Sequence, residues 1–129
     1  MPWVKGLTKD EKASIGAACE RFIEGTLKPR FLPAVIPTEF NYPVDICGKW
    51  RADKYGFVVR YRSGYPHNRG DEFNQAFARL DHTGGHSGEA RFDVMWHRHT
   101  GQWFRLYAAV ALEEALSLIE TDGLLHPAV

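Results

Sequence analysis

The segment Ala90–Tyr107, ARFDVMWHRHTGQWFRLY, decides the fold because its pattern is that of two β-strands joined by a tight turn. His99-Thr100-Gly101 lies between two runs rich in aromatic and β-branched residues, which is typical of a β-hairpin. A two-residue loop would mix polar and apolar residues on both faces. A three-residue loop, with Gly101 in the left-handed conformation of a G1 bulge, separates them. Because a one-residue slip moves every side chain across the sheet, the cleaner separation favours the three-residue loop.

This register predicts an inward and an outward face for the hairpin. The inward face carries Phe92, Val94, Trp96, Phe104 and Leu106. The outward face carries Arg91, Asp93, Met95, His97, Trp103, Arg105 and Tyr107. We expect Trp96, Phe104 and Leu106 to be buried, and truncation of Trp96 or Phe104 to Ala to cost roughly 3–5 kcal/mol.

Two amphipathic helices are predicted, one before and one after the strands. Thr8-Lys9-Asp10-Glu11 is a capping-box pattern, and apolar residues follow at helical spacing, so we expect a helix from about Lys9 to Leu27 that ends at Pro29. Pro29–Pro37 is then an ordered crossing loop. The segment Ala109–Glu120 has the same periodicity, and Gly123 supplies the C-terminal stop.

Three further strands are predicted between the first helix and the hairpin. Phe40–Arg51 alternates, with Tyr42, Val44, Ile46 and Trp50 on one side, and its Pro43 indicates an edge strand. The turn Asp53–Gly56 leads into Phe57–Arg62, with Arg60 and Arg62 outward. A surface loop, Ser63–Asn74, precedes a weaker strand, Ala76–His82, with Ala78 and Leu80 inward and Phe77, Arg79 and Asp81 outward. Thr83–Glu89 is expected to be a flexible loop.

The predicted fold class is therefore α+β: an antiparallel β-sheet of about five strands flanked by an N-terminal and a C-terminal helix. At 129 residues the chain fits one domain, residues 1–129, and can bury roughly two-thirds of its unfolded surface. If both helices pack on one face of the sheet, the other face is left to solvent.

Charge and targeting signals point to a soluble chain without a strong global field. Lys+Arg and Asp+Glu balance at 16 each, although the middle of the chain is basic and the C-terminal segment acidic. The N-terminus lacks the apolar core of a signal peptide, and no run approaches membrane-spanning length, so we expect a cytoplasmic protein that binds no membrane. Cys19 and Cys47 are then reduced, structural cysteines.

The hairpin, the following LEEALSLIETDG and the earlier LKPRFLP together resemble a family of small bacterial proteins known only as a domain of unknown function. The similarity lies in the order of elements and the spacing of aromatic residues over Ala17–Pro127. It implies bacterial origin and compactness, and it supplies no activity and no site residues.

The outward sheet face is the first candidate site. It interleaves guanidinium groups with aromatic rings, as single-stranded nucleic-acid binding requires, since bases stack on rings while Arg pairs with phosphate. The same composition suits a protein–protein interface or ordinary cross-strand packing. The candidate binding residues are Arg60, Arg62, Arg79, Arg91, His97, Trp103, Arg105 and Tyr107.

Histidines are the second candidate, since imidazoles at short spacings can ligate zinc or another divalent metal. His82 and His86 flank a Gly-rich turn, and His97 and His99 alternate on one strand. No Cys pair or HExxH motif accompanies them, so loop and strand surface histidines are favoured and no cofactor is predicted.

Catalytic patterns are weaker still. Ser87 lies near His86, and Ser63 near His67, without a nucleophile elbow or a placed acid. Glu113 and Glu114 are expected to complement a helix dipole, and the Gly84-Gly85 loop lacks the Lys of a P-loop. The preferred interpretation is a non-enzymatic binding module whose partner is a protein or a second copy of itself, with single-stranded nucleic acid as the alternative and a His-based metalloprotein or hydrolase as a further one.

Overall fold

The computed structural model describes residues 6–83 and 89–129, which form a helix, five strands and a second helix in chain order. The N-terminal helical stretch consists of α1 (Lys9–Phe22), a π-helical turn (Ile23–Leu27) and α2 (Lys28–Phe31). The strands are β1 (Asn41–Arg51), β2 (Lys54–Ser63), β3 (Glu72–His82), β4 (Arg91–His97) and β5 (Trp103–Ala111). Helix α3 (Leu112–Thr121) follows directly, and a 3₁₀ turn (Gly123–Leu125) precedes the C-terminal tail.

The five strands form one antiparallel sheet in the order β1-β2-β3-β4-β5, so each strand pairs with its neighbour in sequence. Helices α1 and α3 pack on the same face of this sheet, which we call the inner face. Their buried residues join the inward strand residues in one core, whose largest members are Tyr55, Phe57 and Phe92. The predicted α+β fold is confirmed.

The start of α1 is as predicted, but its end is not. Thr8 Oγ1 accepts a hydrogen bond from the Glu11 backbone N–H at 3.1 Å, and Glu11 Oε1 accepts one from the Thr8 N–H at 2.8 Å, which completes the capping box. Pro29 does not end the helix, because helical backbone continues to Phe31. A proline ring clashes with the carbonyl four residues earlier in an α-helix, and the wider π turn just before Pro29 relieves that clash.

The hairpin has the predicted three-residue loop. The Arg98 N–H donates to the Gln102 carbonyl at 2.9 Å, and the Gly101 N–H donates to the Arg98 carbonyl at 2.9 Å. Gly101 has φ +87°, the left-handed conformation that a G1 bulge requires. Trp96 lies opposite Phe104 and Met95 opposite Arg105, which confirms the register near the turn.

Four register shifts interrupt the strand pairing, and three of them place a residue on a face other than the predicted one. The β1–β2 pairing shifts between Pro43 and Asp45, so Tyr42 lies opposite Arg62 and not on the side of Ile46. In β3 the pairing shifts at Phe77, and this residue is buried in the core, so its predicted outward position is wrong. A one-residue insertion reverses the inward–outward alternation of everything beyond it.

The third bulge lies at Leu106 in β5. Met95 pairs with Arg105 but Val94 pairs with Tyr107, so Tyr107 turns to the inner face and its predicted outward position is wrong. Its hydroxyl donates to Asp122 Oδ2 at 2.7 Å, beyond the end of α3. This hydrogen bond fixes the tail that follows α3 against the sheet.

The predicted burial of the hairpin aromatics is partly wrong. Phe92 and Val94 are buried, whereas Trp96 and Leu106 are only partly buried and Phe104 is 39 % exposed. Helix α3 begins at the end of β5 that is distant from the hairpin turn. Phe104 lies next to the turn, on inner sheet face that the helix does not cover.

Several element boundaries also differ from expectation. β2 begins at Lys54 after a two-residue connection in which Ala52 has φ +52°, so the turn is earlier and tighter than Asp53–Gly56. β3 begins at Glu72, inside the predicted loop, and β5 continues through Ala109–Ala111, which were predicted as helix. The predicted Thr83–Glu89 loop falls mostly on residues 84–88, outside the described residues. No helix in the described ranges has the length and apolar character needed to cross a membrane.

Candidate functional site

The outer sheet face, opposite α1 and α3, brings together most of the predicted binding residues. Strand alternation places on it Arg60 and Arg62 from β2, Arg79 from β3, Arg91 and His97 from β4, and Trp103 and Arg105 from β5. In the described part of the chain, both long helices contribute their buried residues to the core on the inner face. The described helices therefore leave the outer face uncovered.

Trp103 is the centre of an aromatic and cationic cluster on this face. The guanidinium carbon of Arg79 lies 4.4 Å from the Trp103 ring centroid, a cation–π distance. The His97 ring lies 4.7 Å away on the opposing strand, where its Nδ1 is 3.4 Å from the Gln75 amide. These contacts orient the partly buried Trp103 ring on the outer face.

Four arginines on the outer face, Arg60, Arg62, Arg79 and Arg105, lie within 4 Å of carboxylates of the same face. Arg79 binds both oxygens of Asp81, at 2.6 and 2.9 Å, and Arg62 binds Glu72 through Nε and Nη2, at 2.9 and 2.7 Å. The pairing with Glu72 raises the pKa of Arg62. The two remaining ion pairs are looser: Arg60–Asp45 at 3.9 Å and Arg105–Asp93 at 3.7 Å.

Small and apolar residues occupy the middle of the same face. Val58 lies between Cys47 and Ala76, and Met95 lies between Arg79 and Arg105. Val58 is only 7 % exposed. The outer face thus has an apolar centre with paired charges around it.

The described histidines that were considered as metal ligands have other surroundings. Across residues 6–83 and 89–129 no group of three His, Cys, Asp or Glu residues is placed to hold a metal ion. His82 packs edge-on against Phe92 with ring centroids 5.7 Å apart, His97 contacts Trp103, and His99 is exposed in the hairpin turn. His86 lies outside the described residues.

The serine candidates have structural roles or cannot be placed. Ser63 is buried; its hydroxyl donates to Asn68 Oδ1 at 2.5 Å and accepts the Tyr65 N–H at 3.2 Å, which closes the loop between β2 and β3. His67 packs against Tyr65 with ring centroids 5.7 Å apart. Ser87 and the Gly84-Gly85 pair lie outside the described residues.

With the geometry in place, comparison with protein families identifies the domain. A model described as "Domain of unknown function (DUF3024)" matches residues 7–127. The chain is a member of the DUF3024 family. This confirms the resemblance seen in the hairpin and its flanking helices and extends it to the whole of α1. Searches of curated proteins and of solved structures found no match. The function of this DUF3024 member must therefore be argued from its own side chains.

One residue of interest escaped the sequence analysis. Arg98, directly after β4, carries its guanidinium carbon 5.5 Å from the Trp96 ring and 5.0 Å from the Phe104 ring, on the inner face. A signal was present, because the three-residue loop places Arg98 on the same side as those two aromatics. In the sequence, Arg98 continues the apolar face of its strand next to a turn, and this pattern could have identified it.

Proposed function

We propose that this DUF3024 member is a protein-interaction module whose outer sheet face binds the outer face of a second copy of the same chain. The observation that carries the proposal is the apolar centre around Trp103, Met95 and Val58, surrounded by paired charges. A dehydrated apolar and aromatic centre with a polar rim is how protein interfaces are built. Trp and Arg are also the residues that most often dominate binding energy at such centres.

Charge balance favours a second copy over a strongly charged partner. The face carries Arg60, Arg62, Arg79 and Arg105 with their partners Asp45, Glu72, Asp81 and Asp93. In a two-fold symmetric dimer the same patch meets itself, so a patch with alternating charges meets opposite charges after rotation. A patch of one sign would repel its own copy.

The same ion pairs argue against the outer face as a phosphate-binding surface. Nucleic-acid affinity comes from cations that neutralise phosphates and release counterions. An arginine already bound to a carboxylate offers less net charge to a phosphate. Arg62 and Arg79 of this face are hydrogen-bonded to carboxylates, and Arg60 and Arg105 each lie within 4 Å of one.

One part of the outer face favours the nucleic-acid alternative. Lys49, Arg51 and Lys54 are exposed at the β1–β2 hairpin, and strand pairing places them on this face. In the described part of the chain none of the three has a carboxylate within 4 Å. A single strand that stacked on Trp103 and ran toward this corner would find unpaired cations there.

The deciding experiment is sedimentation of the whole chain from micromolar to millimolar concentration, with Trp103→Ala and Phe104→Ala as a matched pair. The two aromatics are adjacent in β5 and lie on opposite faces of the sheet. We expect a dimer whose dissociation constant rises about tenfold or more in Trp103→Ala, as for a central aromatic contact, and is unchanged in Phe104→Ala.

A chain that stays monomeric at millimolar concentration would contradict the proposal, as would equal weakening by both variants. The nucleic-acid alternative is tested in parallel by titrating single-stranded oligonucleotides at two salt concentrations. Affinity that falls steeply with salt and is lost in Lys54→Glu would put that alternative first.

A further inference from the structure

We infer that a groove at the hairpin end of the inner face binds a small organic anion with a flat apolar body. The groove, which we call the tail groove, lies between the β4–β5 turn, the adjacent ends of β2 and β3, and the C-terminal tail. It has a volume of about 560 Å³, within the range of small-molecule sites. This inference is independent of the proposed function, because Trp103, Met95 and Val58, which carry that proposal, do not line the tail groove.

The fold makes the tail groove by leaving this part of the inner face uncovered. Helix α3 packs on β4 and β5 beyond it, and the tail returns across the end of β2, where the Tyr61 hydroxyl donates to the Ala128 carbonyl. Val59, Phe77 and Trp96 form apolar walls, and Leu124 in the tail faces them. An apolar ring would therefore be enclosed on two sides.

The described residues that line the tail groove include one charged side chain, that of Arg98, and no Asp or Glu. The histidines His97, His99 and His126 also line it. In the described residues four other arginines of the sheet each have a carboxylate within 4 Å, whereas Arg98 has none. A groove with a fixed cation and no acid selects an anion.

Among the described residues, Arg98 Nε has no hydrogen-bond acceptor. Its guanidinium lies on the faces of Trp96 and Phe104, and its Nε is buried without a hydrogen-bond partner in the described part of the protein. Buried arginine donors are ordinarily satisfied, most strongly by carboxylate or phosphate. Arg98 therefore has unused donor capacity beside a groove of ligand size, which points to a carboxylate or phosphate group as the missing partner.

The test uses phenylacetate and phenyl phosphate as anionic probes and phenylacetamide as their neutral counterpart, titrated into ¹⁵N-labelled whole protein. We expect the anions to shift the indole N–H signal of Trp96 and to leave that of Trp103, on the outer face, unmoved. Because a charge-assisted hydrogen bond is lost, the amide should bind about tenfold more weakly than phenylacetate. The two anions distinguish a carboxylate site from a phosphate site.

Arg98→Gln removes the charge, and Arg91→Gln is the matched control on the outer face of the same strand region. We expect phenylacetate affinity to fall about tenfold in the first variant and to be unchanged in the second. Equal binding of the anions and the amide, equal binding by both variants, or unshifted Trp96 at millimolar probe would each overturn the inference. Arg98 is outside the core, so loss of folding does not confuse the result.

Discussion

Two phenylalanines of the hairpin should differ sharply in their contribution to stability. Phe92 is completely buried under α3, while Phe104 is 39 % exposed beside the turn. Phe92→Ala removes a fully buried ring and leaves a closed cavity, which costs about 3–5 kcal/mol. At Phe104 the vacated space opens to water, so only the transfer of the covered three-fifths of the ring is lost. At about 1.5–3 kcal/mol for complete burial, that is roughly 1–2 kcal/mol.

The assay is urea unfolding of both variants beside the unchanged protein, with the slope of the transition checked to be constant. The expected difference between Phe92→Ala and Phe104→Ala is about 2–3 kcal/mol in the free energy of unfolding. Equal losses would mean that α3 or the tail covers the turn end of the inner face, and the reasoning on which the tail groove depends would then fail.

Three further predictions concern the core and α1. Gly48→Ala should lower the free energy of unfolding by about 1–3 kcal/mol, because an added Cβ would lie 2.6 Å from Cζ of the buried Tyr55. Gly56→Ala is the control and should cost far less, because the nearest atom to its Cβ is 4.0 Å away. Thermal unfolding that ranks the two variants the other way would refute this prediction. Thr8→Ala should lower the free energy of unfolding by about 1 kcal/mol, because it removes the N-terminal cap of α1. An unchanged unfolding midpoint would contradict this prediction. Burial raises the pKa of Cys19 from 9.0 to about 12. The unfolded chain therefore loses the thiol proton first, so this thiol should lower the free energy of unfolding by roughly 1.4 kcal/mol per pH unit between about pH 9 and 12. The slope should be smaller by that amount in Cys19→Ala, and identical slopes would count against the prediction.

Local signals predicted most of the fold. The capping box at Thr8, the glycine at the G1 position of the hairpin and the alternation of β2 each act within a few residues, so a single sequence contains enough information to place them. The meander follows because strands of 7–11 residues are joined in sequence by connections of at most eight residues.

Bulges explain most of the errors in the predicted faces. The irregularities at Val44, Phe77 and Leu106 each add one residue to a strand without a compositional signal. Periodicity carried across such a point assigns the wrong face, which is why Phe77 was placed outward and Tyr107 was included in the binding face. Seven of the eight predicted binding residues still share the outer face, because they lie on strand segments where the alternation was read correctly.

The sequence also does not show which part of the inner sheet face the helices cover. The pattern showed that Trp96 and Phe104 are apolar neighbours on the inward side, but which part of that side a helix reaches depends on where α3 begins. Strand β5 runs on to Ala111, so α3 is shorter than its periodicity suggested. The part of the inner face that α3 does not cover forms the floor of the tail groove.

The irregular edges of the sheet also limit how the protein can assemble. On β1 the edge is interrupted by Pro43 and the adjoining bulge, and on β5 by two register shifts and by Ala109, whose φ is +51°. Neither edge offers a long, regular row of free N–H and C=O groups to an incoming strand. Growth by strand addition, which would give open-ended filaments, is thereby blocked at both ends of the sheet. Concentrated solutions should contain discrete particles of fixed size, and preformed aggregates should not seed further growth.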